Sequence, residues 1–232
     1  ALFAFCDRVV LCSNASYESF PTLYKRLAGS CVRVVQNGMS INRVDSVLAS
    51  LPSRPQTHTF SVISVGRLIE IKNPLTLLQA FKAMQSKTAT LHFVGDGVLR
   101  KRLETGCNDC ELQKSVVLTG LIPRNQVYHY LNNADVFVST SYGEGLPIAV
   151  LEAMACCCPV ILSDIPPHRE IAEGIDFIPL IHPDDVAGFA RALERFKEMP
   201  PGERLRIGKR CRQLVEERFS LDQMLRNYET IY

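Results

Sequence analysis

Two carboxylates eight residues apart, Glu144 and Glu152, sit in the run Ser141-Tyr-Gly143-Glu144-Gly145-Leu146-Pro147-Ile148-Ala-Val-Leu-Glu152. Gly143 and Gly145 free the backbone around Glu144. Pro147 suits the first position of a helix, and the N–H groups that open a helix offer donors to an anion or a hydroxyl. Glu152 falls about 7.5 Å further along at 1.5 Å per residue. It shares a face with Ile148, Ala155 and Cys156, where a carboxylate is costly unless partnered. A salt bridge would account for it; so would service as an acceptor for vicinal hydroxyls such as those of a ribose. One carboxylate in a glycine-rich loop and another on the helix behind it can bracket a sugar nucleotide.

Two cations stand five residues apart in Gly66-Arg67-Leu-Ile-Glu-Ile-Lys72-Asn73-Pro74. Asn73 suits an N-cap and Pro74 a first helical position, so Lys72 lies beside a helix start. Arg67, Lys72 and a helix N-terminus together form an anion site whose charge suits a diphosphate; the alternative is a solvated loop with two surface charges. Val94-Gly95-Asp96-Gly97 resembles a dinucleotide fingerprint, but Arg100 occupies the place of its third glycine. The backbone there either approaches something closely or merely turns tightly.

The other reactive side chains carry less. The nine cysteines (6, 12, 31, 107, 110, 156, 157, 158 and 211) are odd in number and lie mostly in apolar segments, as reduced core thiols do. Cys107-Asn-Asp-Cys110 is a lone pair without a second Cys or His pair, so neither zinc nor redox chemistry is expected of it. The five histidines (58, 92, 129, 168 and 182) form no ligand spacing and are read as surface or packing residues.

The elements that must position these loops follow from the hydrophobic pattern. With 232 residues, 47% of them hydrophobic and 22% charged, and a net charge of +2, the chain is an ordinary globular one. It is not disordered, and it has no broad basic face for nucleic acid. No apolar run approaches the roughly 18 residues of a membrane span, and the opening ALFAFC lacks the basic start and cleavage site of a signal peptide, so a cytoplasmic protein is expected. From residue 60, six short β-branched runs (FSVISVG, TLHFVG, SVVLTG, DVFVST, PVILS and FIPL) alternate with helical stretches. That alternation predicts an α/β fold with a doubly wound parallel sheet, Rossmann-like, covered on both faces. The helix after Glu144 is expected from Pro147 to about Cys156. Residues 1–40 read as one further β-α-β unit, followed by a polar stretch up to Pro55, and Pro201 and Ser220 read as late helix starts. In such a sheet ligands bind beyond the carboxyl ends of the strands, which is where the loops of Arg67, Lys72 and Glu144 fall.

Glu144 to Glu152 is an E-x7-E arrangement, and in the setting of SYGEGLP and LEAMA it resembles the donor-binding domain of retaining glycosyltransferases of family four, with the GT-B fold. The likeness continues through GRL…KNP, VGDGxLR, VxLTG, ADVFVS, PVILSDIPPHREI and the closing RFS segment, in the family's order.

That resemblance implies an enzyme, a hexosyl- or glycosyltransferase moving a sugar with retention from a nucleotide-sugar donor to a glycan, lipid-linked sugar or other hydroxyl acceptor. Arg67 and Lys72 would hold the diphosphate, with Gly66 beside them. Glu144 would meet hydroxyls of the transferred sugar, helped by the N–H groups of Gly145, Leu146 and Ile148. Glu152 would bind the ribose, and Leu121 and Ile122 would meet the base. No cofactor and no metal are expected: an Asp-x-Asp motif is lacking, and two protein cations can neutralise the leaving group.

By the same resemblance residues 1–40 are the end of an N-terminal acceptor domain, 41–55 an interdomain linker, 56–215 the donor-binding domain, and 216–232 a C-terminal helix returning toward the N-terminal domain. The family's lipid-facing surfaces lie on the N-terminal domain, which leaves peripheral contact with the inner face of the membrane open. Cys157 stands where the family has a small Gly, and Met39-Ser40 replaces its commoner apolar-Asp pair. This polypeptide alone is expected to bind a donor and transfer nothing. The competing readings are a non-catalytic nucleotide-binding or scaffolding module, and a dinucleotide-dependent oxidoreductase, against which the broken fingerprint argues.

Overall fold

A computed structural model describes residues 6–52, 59–109 and 112–231. Its main body is a six-stranded sheet built from β3 (Phe60–Val65), β4 (Ala89–Val94), β5 (Val116–Gly120), β6 (Val136–Ser139), β7 (Val160–Ser163) and β8 (Leu180–Ile181). The order is β5-β4-β3-β6-β7-β8, with every pairing parallel. The chain winds outward from β3 through β4 to β5, then returns to the other side of β3 with β6. The two loops that leave β3 and β6 therefore diverge and open a crevice between them, the switch point of a doubly wound sheet.

Helices cover both faces, as right-handed crossovers require. On one face lie α4 (Pro74–Ala83), α5 (Arg100–Asp109) and α9 (Val186–Glu198); on the other lie α6 (Arg124–Asn133), α7 (Ile148–Ala155) and α10 (Pro201–Arg218). Alternate residues of one strand serve opposite cores: Val62 packs with Leu77 and Phe189, whereas its neighbour Ile63 packs with Leu151 and Leu131. α8 (Pro166–Ile171) joins β7 to β8. β8 begins at Leu180, the last residue of the FIPL run, rather than at Phe177, because Pro179 has no N–H for the ladder and contributes only its carbonyl, to Leu162 N at 3.0 Å.

A second, two-stranded parallel sheet pairs β1 (Val9–Leu11) with β2 (Val32–Val34), joined through α1 (Asn14–Glu18) and α2 (Thr22–Ala28). One carboxylate of the main body holds it at several points. Glu170 accepts from the backbone N–H groups of Asn14 and Ala15 at 3.0 and 2.9 Å, from Asn14 Nδ2 at 3.1 Å, and from Gln36 Nε2 at 2.5 Å.

The stretch expected to be a polar linker contains a helix, α3 (Ile41–Leu48). Ile41, Val44, Val47 and Leu48 form a helical stripe; Val44 is fully buried, and the stripe packs on α6 and α7. Asp45, at the edge of this stripe, holds Arg212 of α10 with two bonds of 2.7 and 2.9 Å. The intervening Asn42, Arg43, Asp45 and Ser46 hide this stripe in the sequence. Residues 53–58, including Pro55 and His58, lie outside the described residues.

α10 runs without a break to Arg218, so the expected boundary at residue 215 falls inside a helix. The chain then meets the turn at Gly38-Met39: Met39 N donates to Phe219 O at 2.7 Å and Leu221 N donates to Met39 O at 2.9 Å. α11 (Leu221–Glu229) follows, capped by Ser220 Oγ. Among the described residues no helix is long and apolar enough to cross a membrane.

Candidate functional site

The loop after β3 packs its own backbone against the loop after β4. A Cβ added to Gly95, whose φ is +138°, would lie 2.0 Å from Gly66 O, and one on Gly97 would lie 2.4 Å from Leu68 O. Three backbone bonds of 2.9 Å, from Gly66 N, Leu68 N and Leu99 N, stitch the two loops together. This settles what the Gly-x-Gly turn approaches: the neighbouring loop. Arg100, in the place of a third glycine, faces Asp96 at 3.6 Å and donates to Leu118 O at 3.2 Å.

So braced, residues 66–73 form one wall of a cavity of ≈ 270 Å³ at the carboxyl ends of β3 and β6. Arg67, Lys72, Glu144, Ser141, Ile148 and Ala149 are among its lining residues. Lys72 ends a short 3-10 turn (Glu70–Lys72), and Asn73 then reverses the chain in the left-handed region at φ 50° before Pro74 opens α4. Asn73 stands at the N-cap position as expected, yet its side chain caps nothing. Its Nδ2 donates to Pro183 O at 3.0 Å, and its Oδ1 accepts from Thr76 Oγ1 at 3.0 Å. The two walls are tied by Thr140 Oγ1 donating to Asn73 O at 2.7 Å and by Tyr142 N donating to Ile71 O at 2.8 Å.

Lys72 and Glu144 meet across the cavity. Lys72 Nζ lies 2.5 Å from Glu144 Oε2, and Ser141 Oγ donates to Glu144 Oε1 at 2.7 Å. Both oxygens of Glu144 are thus acceptors, as in a carboxylate. Arg67 is exposed and its guanidinium holds no hydrogen bond or ion pair among the described residues, so its charge is available to a ligand. The pair of free cations inferred from spacing is in fact one free cation and one that already holds a carboxylate.

Pro147 is the N-cap of α7, with an extended φ of −75° and ψ of 106°, and not its first helical residue; Ile148 takes that place. Pro147 has no N–H, so the helix offers donors from Ile148 and Ala149, both on the cavity wall. Gly145 and Leu146 stand behind that wall. Their carbonyls accept from the small N-terminal unit, Gly145 O from Ser13 Oγ at 3.3 Å and Leu146 O from Asn37 Nδ2 at 3.0 Å. Across a trans peptide N–H points opposite to C=O, so the Leu146 N–H is turned away from Ser13.

Glu152 is 5% exposed and lies beyond this cavity. Its Oε1 accepts from Arg124 Nε at 2.6 Å and from Tyr128 OH at 3.4 Å, which leaves Oε2 without a partner among the described residues. The bond it donates to Glu152 holds the Arg124 guanidinium above even its ordinary range, and burial pushes the Tyr128 phenol up. Leu121, 82% exposed, and half-buried Ile122 come just before Arg124, the first residue of α6, and neither lines the cavity. Sequence reasoning missed Arg124 and Tyr128. The signal was an arginine in the first turn of a helix, where the macrodipole disfavours a cation unless a carboxylate holds it.

Among the described residues every cysteine is a free thiol, and no cluster of His, Cys, Asp and Glu could hold a metal ion. Cys110 of the lone C-x-x-C lies outside the described residues.

A doubly wound parallel sheet with a crevice at its switch point is the fold this chain shares with GT-B glycosyltransferases. The chain belongs to the family described as glycosyl transferases group 1, which matches residues 52–214. It is 34% identical over 135 residues to a putative teichuronic acid biosynthesis glycosyltransferase of Bacillus subtilis, a match covering 58% of this chain and 32% of that protein. It is 29% identical over 214 residues to a UDP-Gal:alpha-D-GlcNAc-diphosphoundecaprenol alpha-1,3-galactosyltransferase of Escherichia coli, covering 87% of this chain and 54% of that one. Among solved structures, HepE of Anabaena in complex with UDP and glucose superposes with a TM-score of 0.83 at 22% identity, covering 98% of this chain and 64% of that one. The chain thus spans about half or less of the curated relatives it matches.

Proposed function

We propose that this chain is the donor-binding half of a retaining glycosyltransferase of family four, taking a nucleotide-sugar donor and serving an acceptor glycan or lipid-linked sugar bound elsewhere in a longer protein. The observation that carries this is the meeting of Arg67, Lys72 and Glu144 around one cavity at the switch point. Arg67 and Lys72 take the diphosphate, with Gly66 beside it, and neutralise the charge that develops on the departing nucleotide, so no metal is called for. Glu144 accepts from hydroxyls of the transferred sugar, and the N–H groups of Gly145, Leu146 and Ile148 assist. Glu152 receives the ribose through its free Oε2 while Arg124 keeps Oε1, and Leu121 and Ile122 lie against the base. Transfer proceeds with retention, the leaving phosphate accepting the proton of the acceptor hydroxyl. We place the protein in the cytoplasm, with membrane contact, where it occurs, made by the acceptor domain.

Calorimetric titration of the chain with UDP, GDP and ADP tests this. Binding of at least one, weakened about tenfold or more in Arg67→Ala by loss of a charge-assisted contact, is expected. No binding to any of the three, or an Arg67→Ala variant indistinguishable from the parent, removes the reading.

A further inference from the structure

Behind Glu144 lies a buried polar cluster that the donor contacts do not use. His168 and Ser163 are fully buried, Ser141 is 2% exposed and Ser139 is 8% exposed. His168 Nδ1 lies 2.8 Å from Ser163 O and 3.1 Å from Ser163 Oγ. A carbonyl oxygen can only accept, so Nδ1 carries the proton and the ring is locked in one tautomer. Ser163 Oγ spends its own proton on Ser141 O at 2.6 Å, and is therefore the acceptor toward His168. Ser141 Oγ spends its proton on Glu144 Oε1 at 2.7 Å, so at the 3.1 Å contact between Ser139 Oγ and Ser141 Oγ it is Ser139 that donates.

Two arms of donation result: His168 and Ser163 donate toward the carbonyl of Ser141, and Ser139 donates to Ser141 Oγ, which donates to Glu144. Ser141 is gripped twice: its carbonyl by the Ser163–His168 pair on β7 and α8, its hydroxyl by Ser139 at the end of β6. His168 Nε2 is left buried without a partner among the described residues. An orphaned acceptor of this kind is uncommon, and here the ring is oriented by its other nitrogen alone.

The two contacts on Glu144 differ in kind. Lys72 is 28% exposed, faces the cavity and has a diphosphate to go to; Ser141 is buried, and among the described residues the other oxygen its hydroxyl reaches is Ser139 Oγ at 3.1 Å, longer than the 2.7 Å to Glu144. When a donor enters, Lys72 can leave Oε2 while Ser141 keeps Oε1. Resting on the donor reading above, we propose that Ser141, held by Ser139, Ser163 and His168, is a positioning residue that keeps Glu144 aimed at the sugar of the donor after Lys72 has turned to the diphosphate.

A merely structural cluster would support both parts of the donor alike, whereas a positioning cluster acts only on the sugar. The 232-residue chain is titrated with UDP and UDP-glucose, with GDP and GDP-mannose and with ADP and ADP-glucose, and the pair that binds is carried into the variants. Ser141→Ala and Ser163→Ala are expected to weaken the sugar nucleotide about tenfold and the matching nucleoside diphosphate less than about threefold, the scale of one hydrogen bond to a charged group. Ser141→Thr, which keeps the hydroxyl, is expected to recover most of the difference. Equal losses for both ligands, or an unchanged sugar-nucleotide affinity in Ser141→Ala, overturn the assignment. A parent that binds none of the six overturns the donor reading and this one with it, so the two failures are told apart.

Discussion

Lys72 Nζ and Glu144 Oε2 lie 2.5 Å apart although 72 residues separate them in the chain, and 28% and 9% of their side chains are exposed. The cation from the loop after β3 and the carboxylate from the loop after β6 neutralise each other across the cavity. A diphosphate must part them and compete with Glu144 for the ammonium group. Glu144→Gln is therefore expected to bind a free nucleoside diphosphate a few-fold more tightly while losing affinity for the sugar nucleotide, and Lys72→Ala to weaken both by about tenfold. Titration of the two ligands with each variant checks the opposite signs; a weaker diphosphate in Glu144→Gln would remove the competition.

Arg124 is the partner that lets Glu152 be buried, with side-chain exposures of 47% and 7%. Removing it leaves a carboxylate facing α6 with only the long bond from Tyr128. Because the guanidinium is nearly half exposed, the cost of Arg124→Ala is placed at about 1–2 kcal/mol, below that of breaking a fully buried pair. Urea unfolding at neutral pH, compared by midpoint at constant slope, measures it.

His168 gives a pH dependence with a definite sign. Burial lowers its pKa from 6.5 to about 4, so the folded state binds fewer protons than the unfolded chain between those values. Its contribution to stability is complete above pH 6.5 and is lost as pH falls to about 4, by about 3 kcal/mol at 1.36 kcal/mol per unit. His92, also lowered by burial, adds in the same sense. Unfolding free energies measured across this range should fall more steeply for the parent than for His168→Asn, which cannot titrate; equal slopes would place the acid sensitivity elsewhere.

The turn between α7 and β7 is made by Cys157 in the left-handed region at φ 56°, and a Cβ on Gly208 of α10 would lie 1.9 Å from Cys157 O. The position where the family resemblance implies glycine is one whose backbone favours glycine. Cys157→Gly is expected to change stability little or to raise it by up to about 1 kcal/mol, whereas Gly208→Ala forces backbone apart and is expected to cost about 2–3 kcal/mol. Thermal unfolding of the two variants should move in different directions.

Glu170 holds the N-terminal unit by four hydrogen bonds, two of them to backbone N–H groups at the start of α1. Glu170→Ala is expected to raise amide exchange over residues 9–37 while the six-stranded sheet stays protected, since the loss falls on one local unit. Uniform loss of protection would show that the two sheets open as one.

Much of this arrangement is legible in the residues. The alternation of β-branched runs and helices from residue 60 corresponds to the six parallel strands, and the glycines and carboxylates of 141–152 lie at the end of β6 and on α7. The misplacements are local and have physical causes. α3 was hidden by polar residues between its apolar ones, β8 was displaced by a proline that cannot donate, and Pro147 was set one place too far into its helix.

What the sequence determined by itself is what short-range chemistry controls: periodicity, turn residues, helix starts, and hence the class of fold and which loops face the crevice. What only the tertiary structure decided is which charge meets which. Glu144 is held by Lys72 and Ser141, Glu152 by Arg124, and Glu170 by residues more than 130 positions away. A charge's partner depends on distances across the switch point and on which neighbours are desolvated, and neither is encoded in spacing along the chain.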